Sequence, residues 1–111
     1  MIKNQINDFL DYLNYEKNYS HNTLRAYTKD LNDFIAFIEK ESIKSFIDIK
    51  KHHIHQFLYF LSLKKHSART VARKLASIKS LFNFLIRKKT LKNNIVKSIA
   101  SPKIDKKLPV F

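Results

Sequence analysis

The residues best suited to chemistry in this chain are arginines and small hydroxyl residues repeated at helical spacing between residues 67 and 87. With Leu75 at the centre of the buried face, a rotation of 100° per residue places one polar set roughly 120–160° away. Thr70 lies beside that set and Lys74 on its flank. Guanidinium groups donate forked hydrogen bonds to phosphate oxygens or guanine edges, and serines let a helix backbone approach a groove closely. The spacing therefore favours a surface that binds nucleic acid, made by Arg69, Arg73, Ser77, Ser80 and Arg87.

The distribution of charge favours the same kind of partner. The net charge is +13, and residues 49–104 contain fourteen Lys or Arg without a single Asp or Glu. A solvated helix face usually gains from acid–base pairs four residues apart, and this helix has no acid of its own with which to pair. An unbalanced positive half predicts a polyanionic partner, with nucleic acid as the first candidate and an acidic membrane surface as the second.

A second predicted helix carries a weaker version of the pattern. Asn22, Arg25 and Lys29 lie opposite Leu31, but Asp33 interrupts the polar stripe further along. Only the first half of this helix is expected to meet a phosphate backbone, where the N-terminal backbone amides would help.

The elements that position these side chains are predicted to be helices almost throughout, because apolar residues recur with helical period. Helices are expected over residues 2 to about 17, from the N-cap Ser20 to about 41, over residues 54–61, and from the N-cap Ser67 to about 86. The pattern allows a short fifth helix at residues 95–99, and it places Phe84 on the outer face of the fourth. A chain of 111 residues can bury one core, so a single helical domain over residues 1–100 is predicted.

Several classes of site are excluded by composition. The chain has no Cys and no Gly, which excludes disulfides, thiolate zinc sites, glycine-rich phosphate loops and nucleophile elbows. His52, His53 and His55 are interpreted as surface histidines, since no further ligands accompany them. No catalytic residue, metal site or cofactor is predicted. The N-terminus does not resemble a signal peptide and no apolar run has membrane-spanning length, which favours a cytoplasmic protein.

The C-terminal segment, residues 101–111, differs in sequence pattern from the rest of the chain. Pro102 and Pro109 bracket a lysine-rich segment that is predicted to be extended, so residues 101–111 are interpreted as the start of a linker to a further domain.

Two segments resemble the N-terminal region of tyrosine recombinases, especially the bacterial Xer type. Residues 20–31 match the pattern Ser-x-x-Thr-Leu-x-x-Tyr-x-x-Asp-Leu, and residues 67–75 match Ser-x-x-Thr-apolar-x-Arg-x-Leu. The resemblance implies a core-binding, SAM-like domain, which is a small orthogonal bundle of four main helices whose second and fourth cross at the DNA major groove. The residues it places at the DNA are Asn22, Thr23, Arg25, Lys29, Arg69, Thr70, Arg73, Lys74, Ser77 and Ser80.

The resemblance also implies a role. In that family the domain forms one half of a C-shaped clamp on double-stranded DNA, and a separate catalytic domain supplies the tyrosine nucleophile, so this chain by itself is expected to be catalytically inert. Self-association into a recombinase tetramer and a location at the bacterial nucleoid are implied, without a membrane or small-molecule partner. Two alternatives stay open: a stand-alone architectural DNA-binding protein without sequence preference, and a basic helical module that binds proteins or anionic membranes.

Overall fold

In a computed structural model, which describes residues 2–99, the chain forms four α-helices. They are α1 (Ile2–Tyr15), α2 (His21–Lys40), α3 (Lys51–Leu63) and α4 (Ala68–Arg87), with a short 3-10 turn at Phe46–Asp48 between α2 and α3. No strand occurs within residues 2–99. The prediction of an all-α bundle with four main helices is confirmed. Residues 95–98 form hydrogen-bonded turns and not a fifth helix, and the predicted linker at 101–111 lies outside the described residues.

The two helices with predicted N-caps begin in the same way. The Oγ of Ser20 accepts a hydrogen bond from the backbone N–H of Thr23 at 3.2 Å, and the Oγ of Ser67 accepts one from the N–H of Thr70 at 3.1 Å. Each serine hydroxyl also donates to the hydroxyl of its threonine. These bonds satisfy backbone donors that the first turn of a helix leaves without partners. Both N-cap predictions are confirmed.

Three helices end in a left-handed residue although the chain has no glycine. Ser42, Lys65 and Lys89 have φ of 63°, 65° and 63°, directly after the C-caps of α2, α3 and α4. After α4, for example, the N–H of Thr90 donates to the carbonyl of Leu85 at 2.9 Å. This is the six-to-one bond of a Schellman ending, which glycine usually supplies. A left-handed conformation costs roughly 1–2 kcal/mol in a residue with a Cβ, so these endings are strained.

Helix α4 packs against α1, α2 and α3, and it shares the centre of the bundle with α2, which also contacts the other three helices. Leu75, Ile78 and Leu81 on this helix are fully buried. Its buried residues extend well around the helix: Val71, Lys74, Leu75, Ser77, Ile78, Leu81, Phe82, Phe84 and Leu85. A helix with neighbours on three sides keeps only a narrow arc for solvent, and that arc decides which polar side chains can meet a partner.

Candidate nucleic-acid interface

The exposed arc of α4 is a single stripe of polar and small residues, here called the α4 stripe. Its members alternate at spacings of four and three residues, and all are exposed except Ser80, which is half-buried. At 1.5 Å per residue the stripe is about 27 Å long. Arginines stand towards both ends and small side chains lie between them. The stripe consists of Arg69, Arg73, Ala76, Ser80, Asn83 and Arg87.

Two residues predicted to face DNA do not belong to this stripe. Lys74 and Ser77 are buried, with exposed fractions of 2% and 4%. The prediction placed the buried face around Leu75, whereas the buried arc of α4 is centred roughly 90° away on the helical wheel. The displacement arises because α2 covers the side of α4 that carries Lys74 and Ser77. The expectation that these two side chains are open to a partner is therefore wrong.

Both buried residues, together with Arg73, converge on one carboxylate of α2. Asp30 is 1% exposed and accepts four hydrogen bonds from α4. Arg73 donates from Nε to Oδ2 at 3.1 Å and from Nη2 to Oδ1 at 2.9 Å. Lys74 Nζ donates to Oδ1 at 3.0 Å, and Ser77 Oγ donates to Oδ2 at 3.1 Å. Lys74 Nζ also donates to Asp33 at 2.8 Å, and the five side chains are called the Asp30 cluster below.

The ionisation of the cluster is balanced by its own charges. Burial by itself raises the pKa of Asp30, but the hydrogen bonds and charges of Arg73 and Lys74 outweigh burial and lower that pKa below its ordinary value. The pKa of Arg73 is raised, chiefly by its hydrogen bonds to Asp30. Burial lowers the pKa of Lys74, yet its bonds to Asp33 and Asp30 raise it overall. Asp30, Arg73 and Lys74 are thus favoured in their charged forms, and the formal charges of the two carboxylates and two cations in the cluster sum to zero.

This cluster corrects a premise of the sequence interpretation. Along its own helix α4 has no acids for pairing, as the sequence indicates. The acids come instead from α2, more than forty residues earlier in the chain. Two cations of α4, Arg73 and Lys74, are therefore paired within the protein. The remaining positive charge of α4 is carried by Arg69, Lys79 and Arg87.

Two of the predicted residues of α2, Asn22 and Thr23, lie at the same side of the bundle as Arg73 of the α4 stripe. A groove of about 340 Å³ runs between the helices, with Asn22, Thr23 and Ala26 on one wall and Arg73 and Ala76 on the other. The Thr23 and Thr70 hydroxyls already accept hydrogen bonds from the N-cap serines. Arg25 is exposed, and Lys29 is 73% exposed at 3.8 Å from Asp33. The structure thus brings the start of α2 next to Arg73.

The second half of the stripe borders another groove, of about 530 Å³, lined in part by Lys17, Tyr19, Asn83 and Arg87. Arg87 lies over the ring of Tyr12, 4.9 Å from its centroid, and donates to the Tyr12 hydroxyl. The helical wheel already places Arg87 on the exposed face, although the family resemblance does not place it at the DNA, and neither route names Asn83. The spacing of Asn83, seven residues after Ala76, is the signal that identifies it once the exposed arc of α4 is known.

Phe84 was predicted to face outward and is buried instead, with 4% of its surface exposed. Its ring packs against Phe9 at 5.4 Å and Tyr12 at 5.1 Å between centroids. As with Ser77, a neighbouring helix buries this side chain. Helix α1 covers the side of α4 that the helical wheel assigns to solvent. The outward prediction for Phe84 is wrong.

Comparison with known proteins identifies a family that matches most of this chain. Residues 6–89 match the family described as "Phage integrase, N-terminal SAM-like domain". The chain belongs to this family. It is 37% identical over 106 residues to a tyrosine recombinase XerC of Anoxybacillus flavithermus, and 38% over 111 residues to one of Natranaerobius thermophilus. Another, from Listeria monocytogenes, is 37% identical over 103 residues. The resemblance to the N-terminal domain of Xer-type recombinases is confirmed.

These alignments cover 93–99% of this chain but only 34–37% of each relative. The chain thus spans about a third of the length of the curated relatives it matches. No solved structure was found that matches it. The family match at 6–89 contains every predicted contact residue, from Asn22 to Ser80, and also Asn83 and Arg87.

One histidine of the SAM-like domain, His53, has a local structural role. His53 Nδ1 accepts a hydrogen bond from the backbone N–H of Lys50 at 2.8 Å, which caps the start of α3. Burial first, and then the charges of His52 and Lys50, lower the pKa of His53. Across residues 2–99, no three side chains of His, Asp or Glu group closely enough to bind a metal ion. Within the same residues, no helix has the length and apolar character needed to cross a bilayer.

Proposed function

We propose that this SAM-like domain binds double-stranded DNA as the N-terminal part of the clamp of a site-specific tyrosine recombinase. The observation that carries the proposal is the α4 stripe, with arginines towards its ends and small residues between. Ala76 and Ser80 allow the helix backbone to enter a major groove, while Arg69, Arg73 and Arg87 reach the phosphates or base edges beside it.

The start of α2 extends this surface. Asn22 and Thr23 share a groove with Arg73, and the first-turn amides of α2 add positive potential there. Lys74 and Ser77 are not proposed as contacts, because both are buried. The proposed contacts are Asn22, Thr23, Arg25, Lys29, Arg69, Thr70, Arg73, Ser80, Asn83 and Arg87.

The wider role follows from the relatives, which are tyrosine recombinases about three times as long. We assign the helical domain, residues 1–100, to half-site recognition and clamp affinity during DNA recombination, and residues 101–111 to the linker. Strand cleavage and rejoining are assigned to a catalytic domain elsewhere in the parent protein, with assembly into a tetramer on DNA at the bacterial nucleoid.

The test is a salt titration of duplex binding by fluorescence anisotropy. The exposed cations among the proposed contacts that lie outside the Asp30 cluster are Arg25, Lys29, Arg69 and Arg87, and they predict a slope of log K against log salt of about −3 to −4. Arg69→Ala should weaken binding by about 1–3 kcal/mol if it reads a base, and should make the slope shallower by about one if it contacts phosphate. Lys44→Ala is the matched control, since Lys44 is exposed beyond the far end of α2.

A flat salt response, or equal losses for Arg69→Ala and Lys44→Ala, would contradict the proposed surface. Selection from a pool of random duplexes then distinguishes a sequence-recognising recombinase domain from an architectural DNA-binding protein. Enrichment of a common half-site supports the recombinase role, whereas equal affinity for all duplexes indicates an architectural protein. Co-sedimentation with anionic vesicles in the absence of duplex binding would indicate the membrane alternative.

A further inference from the structure

The Asp30 cluster uses only one side of the Arg73 guanidinium. Nε and Nη2 donate to the two oxygens of Asp30, which is the side-on arrangement of an arginine with a carboxylate. Within residues 2–99, Nη1 has no hydrogen-bond partner, and the Arg73 side chain is 53% exposed. The end-on edge, formed by Nη1 and the second hydrogen of Nη2, is therefore the edge left for a partner.

The carboxylate that fixes Arg73 is itself fixed. Asp30 is almost completely buried on α2. Lys74, the next residue after Arg73, and Ser77, one turn further along α4, donate to the same two oxygens. A solvent-exposed arginine has about 2 kcal/mol of rotamer entropy to lose on binding. Arg73 has already lost much of that freedom, because two bonds hold the plane of its guanidinium against a rigid acceptor.

We propose that Asp30 is a positioning residue of the DNA interface, which holds the Arg73 guanidinium so that its end-on edge projects into the groove between α2 and α4. This inference rests on the proposed function and goes beyond it by assigning a DNA-binding role to a residue that touches no DNA. The partner of that edge is a pair of adjacent acceptors. Two phosphate oxygens, or O6 and N7 of guanine, supply such a pair.

The experiment is a double-mutant cycle on affinity for a fluorescein-labelled, guanine-containing duplex of about 30 base pairs, roughly three helical turns. Arg73→Ala should weaken binding about 10- to 100-fold. Asp30→Asn should weaken it about 5- to 10-fold in the wild-type background, and by less than about twofold when Arg73 is already Ala. Asp8→Asn is the control, because it also converts a carboxylate to an amide, on the exposed face of α1. Affinities are compared at temperatures where circular dichroism shows each variant folded.

A second variant keeps the test decisive if Asp30→Asn does not fold. Arg73→Lys retains the charge beside Asp30 but has no fork, so its single ammonium turns toward the carboxylate and leaves no outward edge. The expected loss equals that of Arg73→Ala within about twofold. Wild-type affinity in Arg73→Lys would overturn the inference, and so would equal losses from Asp30→Asn with and without Arg73.

Two further outcomes are separable. If Arg69→Ala weakens duplex binding while the cycle shows no coupling, the proposed function stands and the role of Asp30 fails. If the wild-type chain binds no duplex, both fail. Replacing every guanine by 7-deazaguanine removes the N7 acceptor. If this lowers the affinity of the wild type but not that of Arg73→Ala, guanine is the partner of Arg73. If the affinity is unchanged while Asp30 and Arg73 remain coupled in the cycle, phosphate is the partner.

Discussion

The two halves of α4 contact the rest of the bundle through different kinds of interaction. In the first half, residues 68–77, Arg73, Lys74 and Ser77 bond to Asp30 of α2 through directed, charge-assisted hydrogen bonds. In the second half, residues 78–87, Phe84 packs between the rings of Phe9 and Tyr12 of α1. Aromatic packing tolerates small shifts, whereas a forked bond to a carboxylate requires one orientation.

This difference bears on how the α4 stripe is prepared for a partner. Arg73 is held by a buried carboxylate that also fixes the crossing of α2 and α4. Arg87 instead lies over the Tyr12 ring, a weaker and less directional contact. The first half therefore supplies a pre-oriented arginine, and the second half supplies one that can still adjust.

The largest expected effect is the loss of the carboxylate in the first half. Asp30→Ala should lower the free energy of unfolding by about 3–5 kcal/mol, because it leaves the buried Lys74 and one edge of Arg73 without their acceptor. Urea unfolding followed by circular dichroism measures the loss. Asp11→Ala on the exposed face of α1 is the control and should change stability by less than about 0.5 kcal/mol.

Replacing the buried polar residues of the Asp30 cluster together tests whether the loss in Asp30→Ala comes from unpaired buried groups. Replacing Asp30 by Leu, Lys74 by Met and Ser77 by Ala together should recover most of the stability lost in Asp30→Ala, since no buried charge is then stranded. A triple variant as unstable as Asp30→Ala would show that the loss does not come from unpaired buried groups.

A smaller loss is expected on acidification, because a protonated Asp30 still has oxygens that accept hydrogen bonds. The pKa of Asp30 is lowered in the folded state, so its contribution to stability is complete above the ordinary carboxyl pKa of about 3.9 and is lost as pH falls through the lowered value. Thermal unfolding midpoints measured from about pH 6 to about pH 2 should fall more steeply for wild type than for Asp30→Asn. Parallel curves would exclude Asp30 as a source of acid sensitivity.

The sequence sufficed to predict the four main helices, the serine caps and the exposure of Arg69 and Arg73, since these depend on local period and local hydrogen bonds. It did not suffice for Lys74, Ser77 and Phe84. A helical wheel has one apolar centre, which describes a helix packed on one side. α4 packs against three neighbours, so its buried arc is wider and turned away from Leu75.

The Asp30 cluster was missed for a related reason. Acids are absent along α4 itself, and the carboxylates that pair with Arg73 and Lys74 lie on α2. The pattern in residues 20–31 that signals the family ends in Asp30-Leu31. Leu31 is fully buried, and Asp30 beside it is carried into the same interface. A helix crossing joins residues far apart in sequence, and that contact cannot be read from either helix alone.

The apolar half should tolerate a conservative substitution with a small loss of stability. Phe84→Leu keeps an apolar side chain of similar bulk between α1 and α4, so the free energy of unfolding should fall by less than about 1.5 kcal/mol. Tyr15→Leu is the matched aromatic-to-leucine control, because Tyr15 is 75% exposed. A loss from Phe84→Leu as large as that from Asp30→Ala would remove the contrast between the two halves.

The smallest effect is expected where the second half ends, and it has the opposite sign. Lys89 follows α4 with φ of 63°, a conformation that costs a residue with a Cβ and that glycine adopts freely. Lys89→Gly should therefore raise the free energy of unfolding by up to about 1 kcal/mol. The gain is reduced by the greater conformational entropy of glycine in the unfolded chain. Lys88→Gly removes the same side chain at the neighbouring position, which has right-handed φ and ψ of −79° and −1°. That control relieves no strain, so it should lower stability by about 0.5–1 kcal/mol. Equal effects of the two substitutions would show that loss of a lysine side chain, and not relief of the backbone, governs how α4 ends.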